Sequence, residues 1–385
     1  MITPPSPFLD DDKVFPQLGP LYVKKFVEEN SEHEVDVFHG VPSDFDGYDV
    51  VGFSCTTPQF QGALDMVQED KILVIGGSHP SHYPVEKPFD HSIVGDGNDI
   101  FLNLLNDGIT KKTFCNTWSG CLDDKNSRPH RDESLLDYVY YLDGHRTTTI
   151  MTARGCPNNC AFCEDAGSTL RLKDPEVVGS EMDECKELGF DAIMFFDDLF
   201  CLNNRRVKVL CDVIKPRKMP FRCFAHASNF NKEMARMLAD AGCVEIGYGA
   251  ESMTQSILDS VNKNTTVKQN WDIIEIAHEA GIKVKAFLMI GLPGESDLSC
   301  NNLLEFVEES GVDDFDLSIF YPYKGTTIRR QLKRFDLNVN EGDSIGFYKG
   351  VGGNAECVVS TSELSSSDIV KWKNDIYSLN KRFCK

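Results

Sequence analysis

Four times along the second half of this chain a helical pattern ends on a glycine and turns into a short apolar run. The junctions are Glu187-Leu188-Gly189-Phe190, Asp240-Ala241-Gly242-Cys243, Glu279-Ala280-Gly281-Ile282 and Glu309-Ser310-Gly311-Val312. Glycine just past a helix end supplies the left-handed cap that redirects the chain. The segments before three of these glycines carry apolar residues at helical spacing: Val178, Met182 and Cys185; Met234, Met237, Leu238 and Ala241; Val267, Trp271 and Ile274. Apolar runs at 147–153, 192–196, 222–225, 244–247, 284–290 and 316–320 read as six strands. Strands that alternate with helices build a parallel sheet. A closed eight-stranded barrel takes about 250 residues, more than this stretch holds, so the repeat predicts an open, partial (β/α)6 barrel.

The first hundred residues hold a second set of short apolar strands. Residues 49–54 and 71–77 are the strongest, 34–38 and 92–95 weaker, and helix-like stretches at 21–29 and 61–67 lie between them. Short runs that are apolar throughout predict a parallel, Rossmann-like sheet covered on both faces. Ligands of such sheets bind beyond the carboxyl ends of the strands. Those ends are Ser54-Cys55-Thr56-Thr57-Pro58 and Gly76-Gly77-Ser78-His79-Pro80. From 106 to 145, turns and charges without periodicity (Lys111-Lys112, Gly120, Asp123-Asp124, Arg128-Pro129) predict a connector. After Arg334 the pattern fades into Gly342, Gly346, Gly350 and Gly352-Gly353, followed by an amphipathic helix over 366–382 with Ile369, Trp372, Ile376 and Leu379 on one face. The chain is therefore expected to be α/β: an abbreviated Rossmann-like domain over 1–108, a connector over 109–145, a partial barrel over 146–334 and a helical tail over 335–385.

The sharpest chemical feature follows the first barrel strand, in Arg154-Gly155-Cys156-Pro157-Asn158-Asn159-Cys160-Ala161-Phe162-Cys163. Barrel active sites are built at the carboxyl ends of strands. Three thiols in eight residues let one loop wrap a 4Fe–4S cubane and ligate three irons. A fourth cysteine, usual for such clusters, is absent from the loop, so one iron stays open. Zinc would need a fourth ligand, and neither Cys185 nor His145 has finger-like spacing. The chain starts without a basic or strongly apolar segment, so its 14 cysteines read as reduced thiols of a cytoplasmic protein. A net charge of −21 disfavours nucleic acid and anionic membrane, and no apolar run is long enough to span a bilayer.

Cys-x-x-x-Cys-x-aromatic-Cys in this position resembles the radical S-adenosylmethionine (SAM) superfamily. The resemblance implies that SAM chelates the open iron and is cleaved reductively to a 5′-deoxyadenosyl radical, with no catalytic residue beyond the cluster ligands Cys156, Cys160 and Cys163. Phe162 would lie against the adenine. Asp197 and Asp198, after the second strand, stand where the family accepts the methionine ammonium; paired aspartates can also simply cap the next helix. Ser228 and Glu251 follow the third and fourth strands, where the family bonds the SAM carboxylate or ribose, or where each caps a loop. Met289-Ile290-Gly291-Leu292-Pro293-Gly294-Glu295 is similar to the family's Gly-x-Pro-Gly-Glu turn, whose Gly291 would let backbone approach the adenine. Tyr321-Pro322-Tyr323-Lys324-Gly325-Thr326 resembles its Pro-x-x-Gly-Thr ending.

The N-terminal part resembles the cobalamin-binding domain of one branch of that superfamily, in the motifs around Ser54, Thr56 and Thr57, around Gly76, Gly77 and His79, and around Gly95 and Gly97. The Asp-x-His-x-x-Gly motif that gives cobalt a histidine elsewhere is absent. The resemblance implies radical methylation of an unactivated carbon of a small molecule, with cobalamin as methyl carrier and an external donor such as flavodoxin or ferredoxin. Without cobalamin, the same radical would serve oxidation, rearrangement or a cyclase-type ring closure. A tRNA methylthiotransferase is a weaker alternative, because Cys115 and Cys121 sit in the connector and the tail is not basic. A non-catalytic iron–sulfur or cobalamin-binding regulator is the alternative from another class; it would not need the SAM-facing motifs.

Overall fold

A computed structural model describes residues 1–7, 12–83, 85, 87–108, 115–118, 124–340 and 356–379. The chain divides into two compact units, Met1–Tyr140 with Glu184–Gly189, and Tyr141–Asp183 with Phe190–Lys385.

The first unit holds a six-stranded parallel sheet in the order β2-β1-β3-β4-β5-β6. Its strands are β1 (Ile2–Thr3), β2 (Phe38–His39), β3 (Val50–Ser54), β4 (Ile72–Gly76), β5 (His91–Val94) and β6 (Cys115–Trp118). The run expected over 34–38 shrinks to two residues. β1 and β6 were not foreseen, because neither shows apolar periodicity. The central strands are buried on both faces: Val51, Phe53, Leu73 and Ile75 pack against Ala63 and Phe89, while Val74 and Ile93 pack against Val23, Val27 and Phe101. Helix Leu18–Asn30 supplies Val23 and Val27. The glycines expected after 335 and the chain beyond 379 lie outside the described residues, as do Lys111-Lys112, Gly120, Cys121 and Asp123 of the connector. Of the final helix, Ser366–Tyr377 is described.

The second unit contains a curled sheet in the order β15-β14-β13-β12-β11-β8-β7. Six strands run parallel: β8 (His145–Ile150), β11 (Ala192–Phe195), β12 (Phe221–Ala225), β13 (Cys243–Glu251), β14 (Lys283–Ile290) and β15 (Asp314–Ile319). The partial barrel expected from the glycine-capped repeat is present. At the edge β7 (Tyr141–Leu142) folds back antiparallel onto β8. The turn is Asp143-Gly144, both residues at positive φ, a two-residue hairpin signal the sequence reading passed over. A short ladder, β9 (Ala153–Arg154) with β10 (Arg171–Leu172), closes the neck of the cysteine loop.

β14 shows how the sheet divides its faces. Val284, Ala286, Leu288 and Ile290 are buried, and Lys285, Phe287 and Met289 between them are half-buried. The buried set is the helix-covered side; the alternates line the uncovered, concave side. The helix-covered side also hides thiols. Cys223 of β12 hydrogen-bonds with Cys201 and Cys243, and Cys211 lies close to the last two; all four are buried.

The turn 291–295 ends β14 on a buried carboxylate. Glu295 accepts the Gly291 N–H at 3.1 Å and the Ser299 hydroxyl at 2.5 Å, and the Leu292 N–H also points to it. Burial outweighs these bonds and pushes its pKa up to about 7 from 4.5. The folded state thus holds this proton more tightly than the unfolded chain does. The resulting stability is complete below about pH 4.5 and is lost as pH rises through about 7, on the order of 3 kcal/mol in all. Glu295→Gln removes the titration. Its thermal midpoint is expected to fall less than the wild type's between about pH 5 and about pH 8, and parallel curves would contradict this.

The tail packs beside the same turn. Ile369 and Ile376 of helix Ser366–Tyr377 are fully buried, Tyr377 meets Phe315 of β15 edge-on at 6.1 Å, and Thr361 Oγ1 donates to the Glu295 carbonyl. The tail therefore packs on β15 and on the turn that ends β14.

Candidate functional site

The cysteine loop leaves β8, passes the β9–β10 neck and is tied from several sides. The Cys156 N–H donates to Ser168 Oγ at 2.9 Å, and the Gly167 N–H donates to the Asn158 carbonyl at 2.7 Å. Gly155 has φ +82°, and a Cβ there would stand 2.5 Å from the Thr169 carbonyl oxygen, so glycine alone fits the entry to the loop. Inside the loop the Cys163 N–H donates to the Cys160 carbonyl at 3.1 Å. The segment 261–262 straps it down: the Ala161 N–H donates to the Val261 carbonyl and Asn262 Nδ2 to the Asn159 carbonyl, both at 2.8 Å. Ile328 donates its N–H to the Ala161 carbonyl at 3.0 Å.

Cys160 is buried and Cys156 and Cys163 are half-buried. Each thiol acts electrostatically on the next, Cys156 on Cys160 and Cys160 on Cys163. Burial raises the pKa of Cys160 and pushes that of Cys163 up to about 12, so these are poor free nucleophiles. Coordination reverses that, because a metal deprotonates its thiol outright. Among the described residues no three His, Cys, Asp or Glu side chains converge as ligands of one ion would. A cubane takes one thiolate at each of three separate corners.

Around the loop the barrel ends supply the other expected residues, with different partners in several cases. Asp197 is buried and takes the Thr152 N–H at 2.6 Å, the Thr152 hydroxyl and the Ala153 N–H. It pins the exit of β8 rather than offering a free acceptor. Burial pushes its pKa up to about 6. Asp198 is exposed, accepts the Gly155 N–H, and has its pKa raised by desolvation and by the nearby Asp165 carboxylate. An ammonium beside these two carboxylates would relieve their repulsion. Ser228 lies 2.8 Å from Nδ1 of His226 and donates to Asn229 Oδ1 at 3.2 Å.

Glu251 does not follow the fourth strand; it is the last residue of β13, after a bulge, at φ +61°. Its carboxylate is taken by Lys263, Nζ to Oε1 2.8 Å, with both residues buried. The Lys263 ammonium lies 5.8 Å above the centroid of Phe162. Gly291 sits at φ +90°, and a Cβ there would face Val359 and Ile369 of the tail. Lys263 and His226 were missed. His226 is buried, and burial together with Lys263 drops its pKa to about 4, which leaves it neutral. The only sequence signal for Lys263 was Asn262-Lys263-Asn264, since asparagine tolerates the left-handed turn that both flanking residues adopt.

On the concave side three rings form a row across neighbouring strands. Phe196 packs edge-on against Phe224, and Phe224 lies tilted against Phe287, each at 5.9 Å. Gly247 lies between the last two, where a Cβ would come within 2.9 Å of Phe287. Phe196 is 46% exposed. Toward the amino ends of the strands Arg222 pairs with Glu245, and Lys285 with Asp314 and Asp316.

In the first unit the expected cobalamin residues collect at the carboxyl ends of β3, β4 and β5. Ser54 and Gly76 end paired strands, and Thr57 is half-exposed beside them. Gly77 at φ +95° packs on Cys55 backbone, the Gly95 N–H donates to Ser81 Oγ, and Gly97 caps helix Asn98–Asn106. Two expectations shift. Thr56 forms a capping box with Gln59. His79 is buried, stacked between Phe60 at 4.1 Å and Tyr83 at 4.9 Å, with Nδ1 3.2 Å from Thr57 Oγ1; it is a packing residue.

Residues 150–307 match the radical SAM superfamily. These residues are a radical SAM domain. An uncharacterized methyltransferase of Pyrococcus horikoshii is 27% identical over 359 residues, 81% of this chain and 77% of that one. The bacteriochlorophyllide d C-8(2)-methyltransferase of Chlorobaculum tepidum is 26% identical over 323 residues, 76% of this chain and 70% of that one. In fold, the chain is similar to the radical SAM methyltransferase TsrM from Kitasatospora setae, solved with cobalamin and a 4Fe–4S cluster. The TM-score is 0.68 at 16% identity, covering 91% of this chain and 82% of that one. The radical SAM domain thus contains the cysteine loop and the ends of β8 and β11–β14. Among the described residues no helix is long and apolar enough to cross a membrane.

Proposed function

We propose that the chain is a cobalamin-dependent radical SAM methyltransferase acting on an unactivated carbon of a small molecule. The observation that carries it is the cysteine loop, closed by its own ladder at the end of the first parallel strand, with Phe162 held beneath a buried ammonium. When bound, the cluster would supply the electron that cleaves SAM to a 5′-deoxyadenosyl radical, and cobalamin the methyl group.

The chain's own groups then have separable tasks. Cys156, Cys160 and Cys163 would hold three irons. Asp198 and Asp165 favour a cation beside the loop entry. Asp197, Thr152 and the β9–β10 ladder keep the loop in place. The ends of β3, β4 and β5, with Ser54, Gly76, Gly77, Gly95 and Gly97, would receive the corrin, and His79, stacked between Phe60 and Tyr83, would pack beneath it rather than ligate cobalt. On this reading 146–334 cleaves SAM and 1–108 binds cobalamin. The row Phe196–Phe224–Phe287 favours a substrate with a flat ring system. Similar proteins are named for bacteriochlorophyllide and tryptophan, both ring-bearing. We place the protein in the cytoplasm with flavodoxin or ferredoxin as electron donor.

Reconstitution with iron, sulfide, SAM and a reductant in the absence of air is expected to yield 5′-deoxyadenosine. Cobalamin added at saturation is expected to remain with the protein through gel filtration and to show its visible spectrum. A protein that elutes without the cobalamin absorption bands would remove methyl transfer from cobalamin while leaving SAM cleavage standing.

A further inference from the structure

The ion pair of Lys263 and Glu251 is buried beside the cysteine loop and belongs to no step derived so far. Lys263 is 6% exposed and Glu251 8%, and their charged atoms meet at 2.8 Å. The ammonium is held above Phe162, which sits between Cys160 and Cys163 in the chain. The segment that carries Lys263 is fastened to this loop by Ala161–Val261 and Asn159–Asn262 hydrogen bonds. The Lys263 N–H donates to the Leu258 carbonyl, and Asn262 and Asn264 turn left-handed on either side, so the backbone bearing the cation is fixed. Glu251 is fixed as well, at the end of β13 after its bulge. The pair is thus a rigid dipole. Its positive end faces the loop, with Lys263 Nζ 5.8 Å from the Phe162 ring centroid.

A 4Fe–4S cluster on three thiolates carries net negative charge, and reduction adds one more electron. In a medium of low dielectric a neighbouring cation favours the more negative state, and an anion opposes it. We propose that Lys263, positioned by Glu251, is the cation that sets the reduction potential of the cluster on Cys156, Cys160 and Cys163, holding it less negative than the loop alone would. The inference rests on the cluster assignment above. Lys263 is a positioning and tuning residue; it touches no reacting atom.

The test uses the full chain reconstituted with iron and sulfide, without SAM, and an electron paramagnetic resonance-monitored redox titration. K263M is expected to shift the midpoint to more negative potential and E251Q to shift it the other way, with K263R close to wild type. Opposite shifts from the two halves of one ion pair are not produced by loss of packing. Equal midpoints in all four proteins, or shifts of K263M and E251Q in the same direction, would overturn the proposal. So would unchanged midpoints with weakened SAM binding in K263M, which would make Lys263 a SAM-binding cation. If K263M does not fold, E251Q and K263R still decide, because both retain the charge: the first must move and the second must not. A wild-type protein without any cluster signal would instead overturn the cluster assignment itself, before any variant is compared.

Discussion

Cys156→Ala is expected to abolish 5′-deoxyadenosine formation, not merely to slow it. A cubane with one iron left open for SAM depends on all three thiolates, and the loop offers no substitute: Ser168, the polar side chain bonded to the Cys156 backbone, already uses its hydroxyl as an acceptor there. The variant should still fold, because Cys156 is half-buried and the loop keeps its ladder, its Gly155 turn and its bonds to Val261 and Ile328. Iron content and product are therefore expected to fall together while the far-ultraviolet dichroism stays that of wild type. A variant that still makes wild-type amounts of product would dispose of the radical SAM mechanism for this loop.

Lys173→Met is expected to be among the most destabilising single changes in the barrel. Lys173 Nζ meets Glu181 Oε2 at 2.7 Å, with the side chains 4% and 0% exposed. The same ammonium acts on buried Asp197, as does the Arg206 guanidinium. Removing one partner of a buried pair leaves an uncompensated charge and costs about 3–5 kcal/mol, because the carboxylate keeps its desolvation penalty. For a unit of this size that lowers the thermal midpoint by roughly 10 °C. The double variant K173M/E181L should recover most of the loss. Iron retention is a second readout. The Lys173 N–H donates to the Thr152 carbonyl, Arg206 donates to the carbonyls of both Thr152 and Lys173, and Thr152 leads into the cysteine loop. A loss below about 1 kcal/mol would mean that Glu181 and Asp197 find another cation.

The barrel strands were legible where side chains made them so. Runs such as Ala192–Phe195 and Val284–Ile290 are largely apolar, and glycine marks the return into four of the six strands. β13 runs to Glu251, past the 247 where reading stopped, because Gly247-Tyr248-Gly249 has the composition of a loop. It is a strand because its neighbours need the missing side chains: Gly247 leaves room for Phe224 and Phe287. The three cysteines were legible because one short loop carries them. Lys263 and His226 were not, since each reaches the site from a separate crossover and its neighbours exist only in three dimensions. Asp197 and His79 show the converse: the right residue in the right motif, spent on holding Thr152 and on stacking between two rings.

The buried thiols have a practical consequence for assembly. Cys185, Cys201, Cys211, Cys223, Cys243 and Cys300 are all buried, and burial or thiol neighbours push Cys211, Cys223 and Cys300 well away from ionising. Among the described residues, these six thiols are shut away in the folded protein, whereas the loop presents Cys156 and Cys163 half-buried beside Cys160. In the unfolded chain every one of these sulfurs is equally available, and iron will be captured wherever two happen to meet. Order of events thus decides the product: metal offered after folding is delivered to the loop, and metal present during refolding is scattered.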